Sequence, residues 1–180
     1  QFSYTGSRLQ ANLQGFYKVC RRPNMAVYER TADNRFVYTQ RNQKEIDALL
    51  LMAYASYWLL PEKLSFTAYG GLFRCFNFGD DYTHCYTSYF ATGSLNAYLG
   101  PVSLYVYADN GSRFLEGETK GYSGGDIVLK AAYTYRDWQF ALIWQQPLQS
   151  RYKMYETEIL NRNLHKKTAL YSTDSSNLVS

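Results

Sequence analysis

The feature that most limits what this chain can fold into is the alternation of apolar and polar residues over positions 94–147. Val102, Leu104, Val106 and Ala108 take every second place, and Ser103, Tyr105, Tyr107 and Asp109 fill the places between. Side chains of a strand point alternately to its two faces, so this segment has one greasy face and one wet face. The same period of two sets Leu9, Ala11, Leu13, Gly15, Tyr17 and Val19 against Arg8, Gln10, Asn12, Gln14, Phe16 and Lys18. It recurs over 64–73, 88–99, 127–135 and 138–145. The chain therefore reads as all-β and antiparallel.

The connections are sorted by length. Pro61-Glu62-Lys63, Leu99-Gly100-Pro101 and Tyr135-Arg136-Asp137 are tight turns flanked by aromatics, whereas 21–43, 109–126 and 149–167 are long polar loops. The first long loop holds a possible small hairpin, AVYER and RFVYTQ around Ala32-Asp33-Asn34. Residues 46–60 lack a clean period of two and suit a strand or a buried helix; the strand is preferred because Tyr54, Tyr57 and Trp58 then sit at an interface. Gly79-Asp80-Asp81 forms another turn, Pro147 stops a strand because it lacks a ladder donor, and 168–180 begins an eighth strand. Short turns at one end and long loops at the other follow the rule for outer-membrane barrels.

Composition bears on what the greasy face meets. The 180 residues hold 19 Tyr, 10 Phe and 3 Trp, yet mean hydropathy is −0.41. Aromatic girdles around an alternating wall account for both numbers, and aromatic-rich soluble β-proteins share them. No apolar run is long enough for a spanning helix. The net charge of +4 is spread along the chain, which argues against a nucleic-acid surface. No signal peptide opens the sequence, so the chain is expected to be a mature form or an excised piece.

Catalytic patterns are missing. His84 and His165 fall in loops with no Ser/His/Asp set or metal-ligand spacing around them. The glycines of KGYSGGD lack the Lys-Ser/Thr of a phosphate loop. Asp80 and Asp81 are turn formers before they are calcium ligands. No enzyme activity and no cofactor are expected. Cys75 and Cys85 stand at equal distances from Asp80, so a cross-strand bridge is conceivable, as are two reduced thiols in neighbouring strands. Cys20 has no partner.

Several short motifs carry a family resemblance: the Tyr98 strand with its Gly100-Pro101 turn, LEGET at 115–119, the Tyr135-Arg136-Asp137-Trp138 turn, the aromatic strand ending at Pro147, and the Tyr/Lys/Glu loop behind it. Over about residues 10–176 the chain resembles the outer-membrane β-barrel family common in Bacteroidetes, whose members resemble TonB-dependent receptors. The resemblance implies an antiparallel up-and-down transmembrane β-barrel in the cell outer membrane, with about eight strands of a larger barrel present in a single 1–180 domain. It implies a C-terminal portion with a truncated last strand, lacking the terminal aromatic of the family. The implied partners are outer-membrane lipid, an N-terminal plug domain and TonB-type energy coupling, and the implied function is nutrient uptake. A structural or adhesive barrel, a soluble carbohydrate-binding β-protein and, more distantly, an outer-membrane enzyme are the alternatives. The candidate lumen-facing residues are Arg8, Gln10, Asn12, Gln14, Lys18, Tyr105, Tyr107, Asp126, Lys130, Gln139 and Gln145, which would contact a plug, line a passage, or only solvate the interior.

Overall fold

The computed structural model describes residues 1–80, 82–147, 152–161, 164–172 and 178–179. Its wall is a nine-stranded antiparallel sheet of β1 (Phe2–Thr5), β2 (Leu9–Arg21), β5 (Glu45–Leu60), β6 (Leu64–Phe78), β7 (Thr83–Leu99), β8 (Val102–Asp109), β11 (Ile127–Tyr135), β12 (Trp138–Gln145) and β15 (Leu178–Val179), paired in that order. The sheet is open, with β1 and β15 at opposite ends. The expectation of an all-β antiparallel chain holds. The described residues do not close into a barrel.

Residues 46–60 lie in β5, which pairs with β2 on one side and β6 on the other. Its lack of a clean period follows from apolar side chains on both faces, with Leu49 and Leu51 on one and Leu50 and Met52 on the other. The hairpin in 21–43 is present as β3 (Asn24–Arg30) and β4 (Phe36–Asn42), whose register centres on Asp33.

Three expectations are corrected. The loop 109–126 contains a hairpin, β9 (Ser112–Glu116) with β10 (Thr119–Ser123). Within 149–167 the chain forms β13 (Tyr152–Leu160) and the start of β14 (His165–Ser172), while 149–151 and 162–163 lie outside the described residues. Of the segment read as the start of an eighth wall strand, 168–172 belong to β14, which pairs with β13; among its described residues Leu178–Val179 lie in the wall, beside β12. Residues 173–177 and 180 lie outside the described residues, as does Asp81 of the Gly79 turn. The four inserted strands make a second sheet, β14-β13-β10-β9.

Register sorts the wall into two faces. Leu13 opposes Ala53, Leu51 opposes Leu72, Phe66 opposes Leu95, Leu95 opposes Val106, Val106 opposes Leu129, and Tyr133 opposes Phe140. Opposed residues share a face, so the apolar sets of all the long strands merge into one band. The band covers 9–19 of β2, 49–57 of β5, 64–72 of β6 and 127–135 of β11, about the 9 to 11 residues a tilted strand needs to cross hydrocarbon. Between the short turns and the level of Tyr17 and Leu72 it carries no charge. Above that level charges begin: Arg21 pairs with Glu45, the Tyr17 hydroxyl donates to Asp47, and Arg74 lies over Phe76.

Aromatics edge the band at both levels, with Tyr57, Phe66, Tyr133, Tyr135 and Trp138 near the short turns and Tyr17, Phe76, Tyr89 and Trp144 near the long loops. Its middle is aliphatic or small: Leu13, Ala53, Gly70, Ala91, Leu95, Val106 and Leu129. Leu13 is 54% exposed and Phe140 60%.

The opposite face is the crowded one. Every buried residue among the described wall strands (Ser65, Cys75, Asn77, Ser88 and Ala132) points to it. Gly71 also lies there, where a Cβ would meet the Phe90 ring at 2.7 Å and the Leu51 carbonyl at 2.2 Å. The missing Cβ leaves room for the Phe90 ring, whose centroid lies 5.3 Å from that of Tyr69 at a tilt of 50°.

The register also decides the cysteine question. Cys85 opposes Phe76 and Cys75 opposes Tyr86, so the two thiols lie on opposite faces and cannot bridge. All three cysteines are free. Equal spacing about Asp80 misled because the hairpin is centred between residues 80 and 81.

Candidate functional site

All eleven polar residues singled out from the sequence fall on the crowded face or at its rim. Register places Gln10, Asn12, Gln14 and Lys18 opposite Ser56, Tyr54, Met52 and Ala48. Tyr105 opposes Lys130, and Tyr107 and Gln145 both oppose Val128. Gln139 opposes Thr134. Arg8 and Asp126 sit just beyond strand ends, where their carbonyls accept from Trp58 N–H and Asp109 N–H at 2.9 Å each.

The structure does not gather them into one constellation. The β2 group and the β8–β11–β12 group are separated by β5, β6 and β7. Asn12 and Gln14 line a depression of about 300 Å³ with Met52, Tyr54 and Tyr69. Tyr105 and Tyr107 stack at 6.4 Å. Asp126 has a structural partner, because Gln146 Nε2 donates to its Oδ1 at 2.9 Å and to the Gly125 carbonyl at 3.1 Å.

Chemistry concentrates where the inserted hairpins fold over the crowded face. Asn77, only 1% exposed on β6, donates from Nδ2 to the Gly117 carbonyl at 3.2 Å. Lys120 of β10 reaches over the Tyr86 ring of β7 at 5.1 Å. Both wall residues point to the crowded face, so the hairpins cover it and leave the apolar band bare.

Glu118 ties these hairpins together. It follows Gly117, whose φ of +56° turns the β9–β10 hairpin, and it is 6% exposed. A Cβ on Gly117 would stand 2.6 Å from the Ala26 carbonyl, so only glycine fits against β3 at that turn. The Glu118 carboxylate accepts from Tyr28 N–H at 3.0 Å and from Asn161 Nδ2 at 2.7 and 2.8 Å. Asn161 Nδ2 also donates to the Tyr28 carbonyl at 2.9 Å, and Leu160 N–H donates to the Glu118 carbonyl at 2.7 Å. One buried carboxylate thus joins β3, the β9–β10 turn and the end of β13. Met25, Val27, Leu115 and Ile159 are buried in the same layer.

Beside Glu118 lies a cavity of about 480 Å³ lined by Tyr28, Glu29, Arg41, Gln43, Tyr82 and Asn161, among others. Burial, followed by the negative charges of Glu118 and Asp80, pushes the Tyr82 hydroxyl up to about 12, so it stays protonated at neutral pH. Its ring stacks on His84 at 4.7 Å. A second cleft of about 330 Å³ opens between Tyr86 and the face formed by Arg113, Lys120, Tyr122, Glu156 and Glu158. The Glu158 carboxyl is held below its ordinary range chiefly by the His165 hydrogen bond, which outweighs the opposing effect of burial, with the charges of Lys120, His165 and Lys167 adding to the lowering.

The sequence reading missed Glu118, Asn161, Tyr28, Gln43 and Tyr82. LEGET drew attention only as a family motif, although a carboxylate straight after a turn glycine is a signal for a loop anchor. His84 and His165 hold no metal-ligand set, and among the described residues no group of three or more His, Cys, Asp or Glu could hold an ion. Comparison with protein-family models, curated proteins and solved structures finds no match for this chain.

Proposed function

We propose that this chain is a stretch of the wall of an outer-membrane β-barrel. Its apolar band faces lipid, its crowded polar face lines the lumen, and its inserted hairpins form a layer over the outer mouth. The observation that carries the reading is the side on which the hairpins fold. Loops over a soluble sheet would gain most by covering the exposed apolar face, since soluble monomers rarely leave more than a few hundred Å² of contiguous apolar surface bare. Here they cover the polar one.

Within that class the motifs noted above favour a TonB-dependent-receptor-like protein that takes up a nutrient, with lipid on the band and a plug domain and TonB-type coupling as partners. The test is quenching of Trp138 and Trp144 by lipids brominated at defined depths, with the folded chain in vesicles. Strong quenching of both is expected, strongest from lipids brominated near the two interfaces, because Trp138 lies at the short-turn edge of the band and Trp144 at its long-loop edge. A chain that stays monomeric in detergent-free buffer with unquenched tryptophans would overturn the reading.

A further inference from the structure

The cavity beside Glu118 holds an imbalance that hairpin architecture does not explain. Glu118 is a buried carboxylate, and its hydrogen-bond donors are neutral: a side-chain amide and a backbone N–H. Among the described residues no cation pairs with it. A buried charge without a counter-charge is costly, and neutral donors offset only part of that cost. The carboxylate also keeps spare capacity, because Oε1 accepts one of these bonds while Oε2 accepts two and each oxygen has two acceptor sites.

The cavity's other groups point the same way. Gln43, 5% exposed, lines the cavity, and its Oε1 has no hydrogen-bond partner. Three lining carboxylates, Glu29, Asp80 and Glu118, stand against two guanidiniums, Arg30 and Arg41. Arg41 and Glu29 pair with each other, Nη2 donating to Oε2 at 3.0 Å, which leaves Asp80 and Glu118 against Arg30, exposed at the end of its strand. Tyr28 and Tyr82 also line the cavity.

We propose that this cavity binds a small organic cation, an ammonium or guanidinium group, with the Glu118 carboxylate as its charge partner and Gln43 Oε1 as a second acceptor. Tyr82 keeps its proton and so contributes a neutral ring and a hydroxyl rather than a competing charge. Filling the site gives Glu118 its missing counter-charge and fastens the β3–β4 hairpin to the β9–β10 turn. The site goes beyond the wall reading and does not depend on it, because it is built from the hairpins, outside the apolar band.

The test is calorimetric titration of the full chain, folded in zwitterionic micelles, with agmatine, which carries both an ammonium and a guanidinium, and in parallel with butyrate and 1-butanol. Saturable binding of agmatine alone is expected, weakened about tenfold or more by Glu118→Gln, as for loss of a charged hydrogen bond. Because that change also touches the hairpin anchor, Gln43→Leu is the second variant; it should weaken agmatine several-fold while the Tyr28 amide keeps its exchange protection. No agmatine binding, equal affinity for butyrate, or an affinity that neither variant moves would overturn the site. Such a failure leaves the wall reading standing, and failure of the lipid-quenching test leaves the site standing.

Discussion

Placing an arginine on the apolar band should cost most at its centre and little on the other face. Val106 is the fifth residue of β8, so it lies about 13 Å along the strand from Val102 at ~3.3 Å per residue. At a tilt of about 40° that is roughly 10 Å of height, near the middle of an apolar band about 25 Å tall. Its cross-strand neighbours Leu95 and Leu129 are aliphatic, so no nearby carboxylate can rescue the charge. Val106→Arg should then cost about 2–4 kcal/mol of folding free energy in a bilayer. Leu104, two residues nearer the turn and about 5 Å above it, should cost about 1–2 kcal/mol, because the penalty falls toward the interface. Ser94→Arg, at a similar level on the polar face, should cost less than about 1 kcal/mol, as a solvated substitution does. The assay is denaturant titration of the chain folded into short-chain phosphatidylcholine vesicles, followed by tryptophan emission. If Val106→Arg costs no more than Ser94→Arg, the apolar band does not face hydrocarbon; if Val106 and Leu104 cost the same, the depth assignment is wrong.

Glu118→Ala should loosen the hairpin layer by about 1–3 kcal/mol, visible as faster amide exchange at Tyr28 with wall amides unchanged. Asn110→Ala removes the acceptor of Ala91 N–H, an Oδ1 at 2.9 Å, and should speed exchange there at a cost of about 1 kcal/mol. The raised Tyr82 value means the folded hairpins hold that proton more tightly than the unfolded chain does. Its stabilisation is thus complete below pH 10 and is lost as pH rises from 10 to about 12; the late part of the phenolate absorbance titration should shrink by one tyrosine in Tyr82→Phe.

Much of the wall was legible because one face of it is uniformly apolar. Alternation in 8–19, 64–73, 88–99 and 127–145 marks strands, and pairing register then brings the alternating sets together without a clash of faces. Even β5, with apolar residues on both faces, had its aromatics Tyr54, Tyr57 and Trp58 and the tight turn at 61–63 to decide it. The inserted strands left no such trace. In β13, Glu156 and Glu158 lie on one face opposite Ala169 and Lys167, and both faces of this small sheet carry polar side chains, so no apolar period separates it from loop. Its signal is cross-strand charge complementarity, as between Lys167 Nζ and Glu156 at 3.1 Å, which cannot be read until the partner strand is known. For Glu118 the turn glycine before it marks a loop anchor, but its burial and its partners emerge only once 28, 118 and 161 have been brought together.

The β8–β11 hairpin closes beneath its insertion. Asp109 N–H donates to the Asp126 carbonyl at 2.9 Å, and just above this clasp the two chain directions nearly touch, since a Cβ on Gly125 would stand 2.2 Å from the Asp109 carbonyl. The stretch between 110 and 125 leaves the wall through a neck that the strand ladder has already sealed, and it is also tied to β13, Tyr28, Asn77 and Ala91, outside that ladder. A foreign peptide exchanged for that stretch would therefore inherit a fixed pair of attachment points, and the register of Tyr107 against Val128 below would not feel its length. The chain carries at this neck a ready graft point for displaying unrelated sequences at the open end of the sheet.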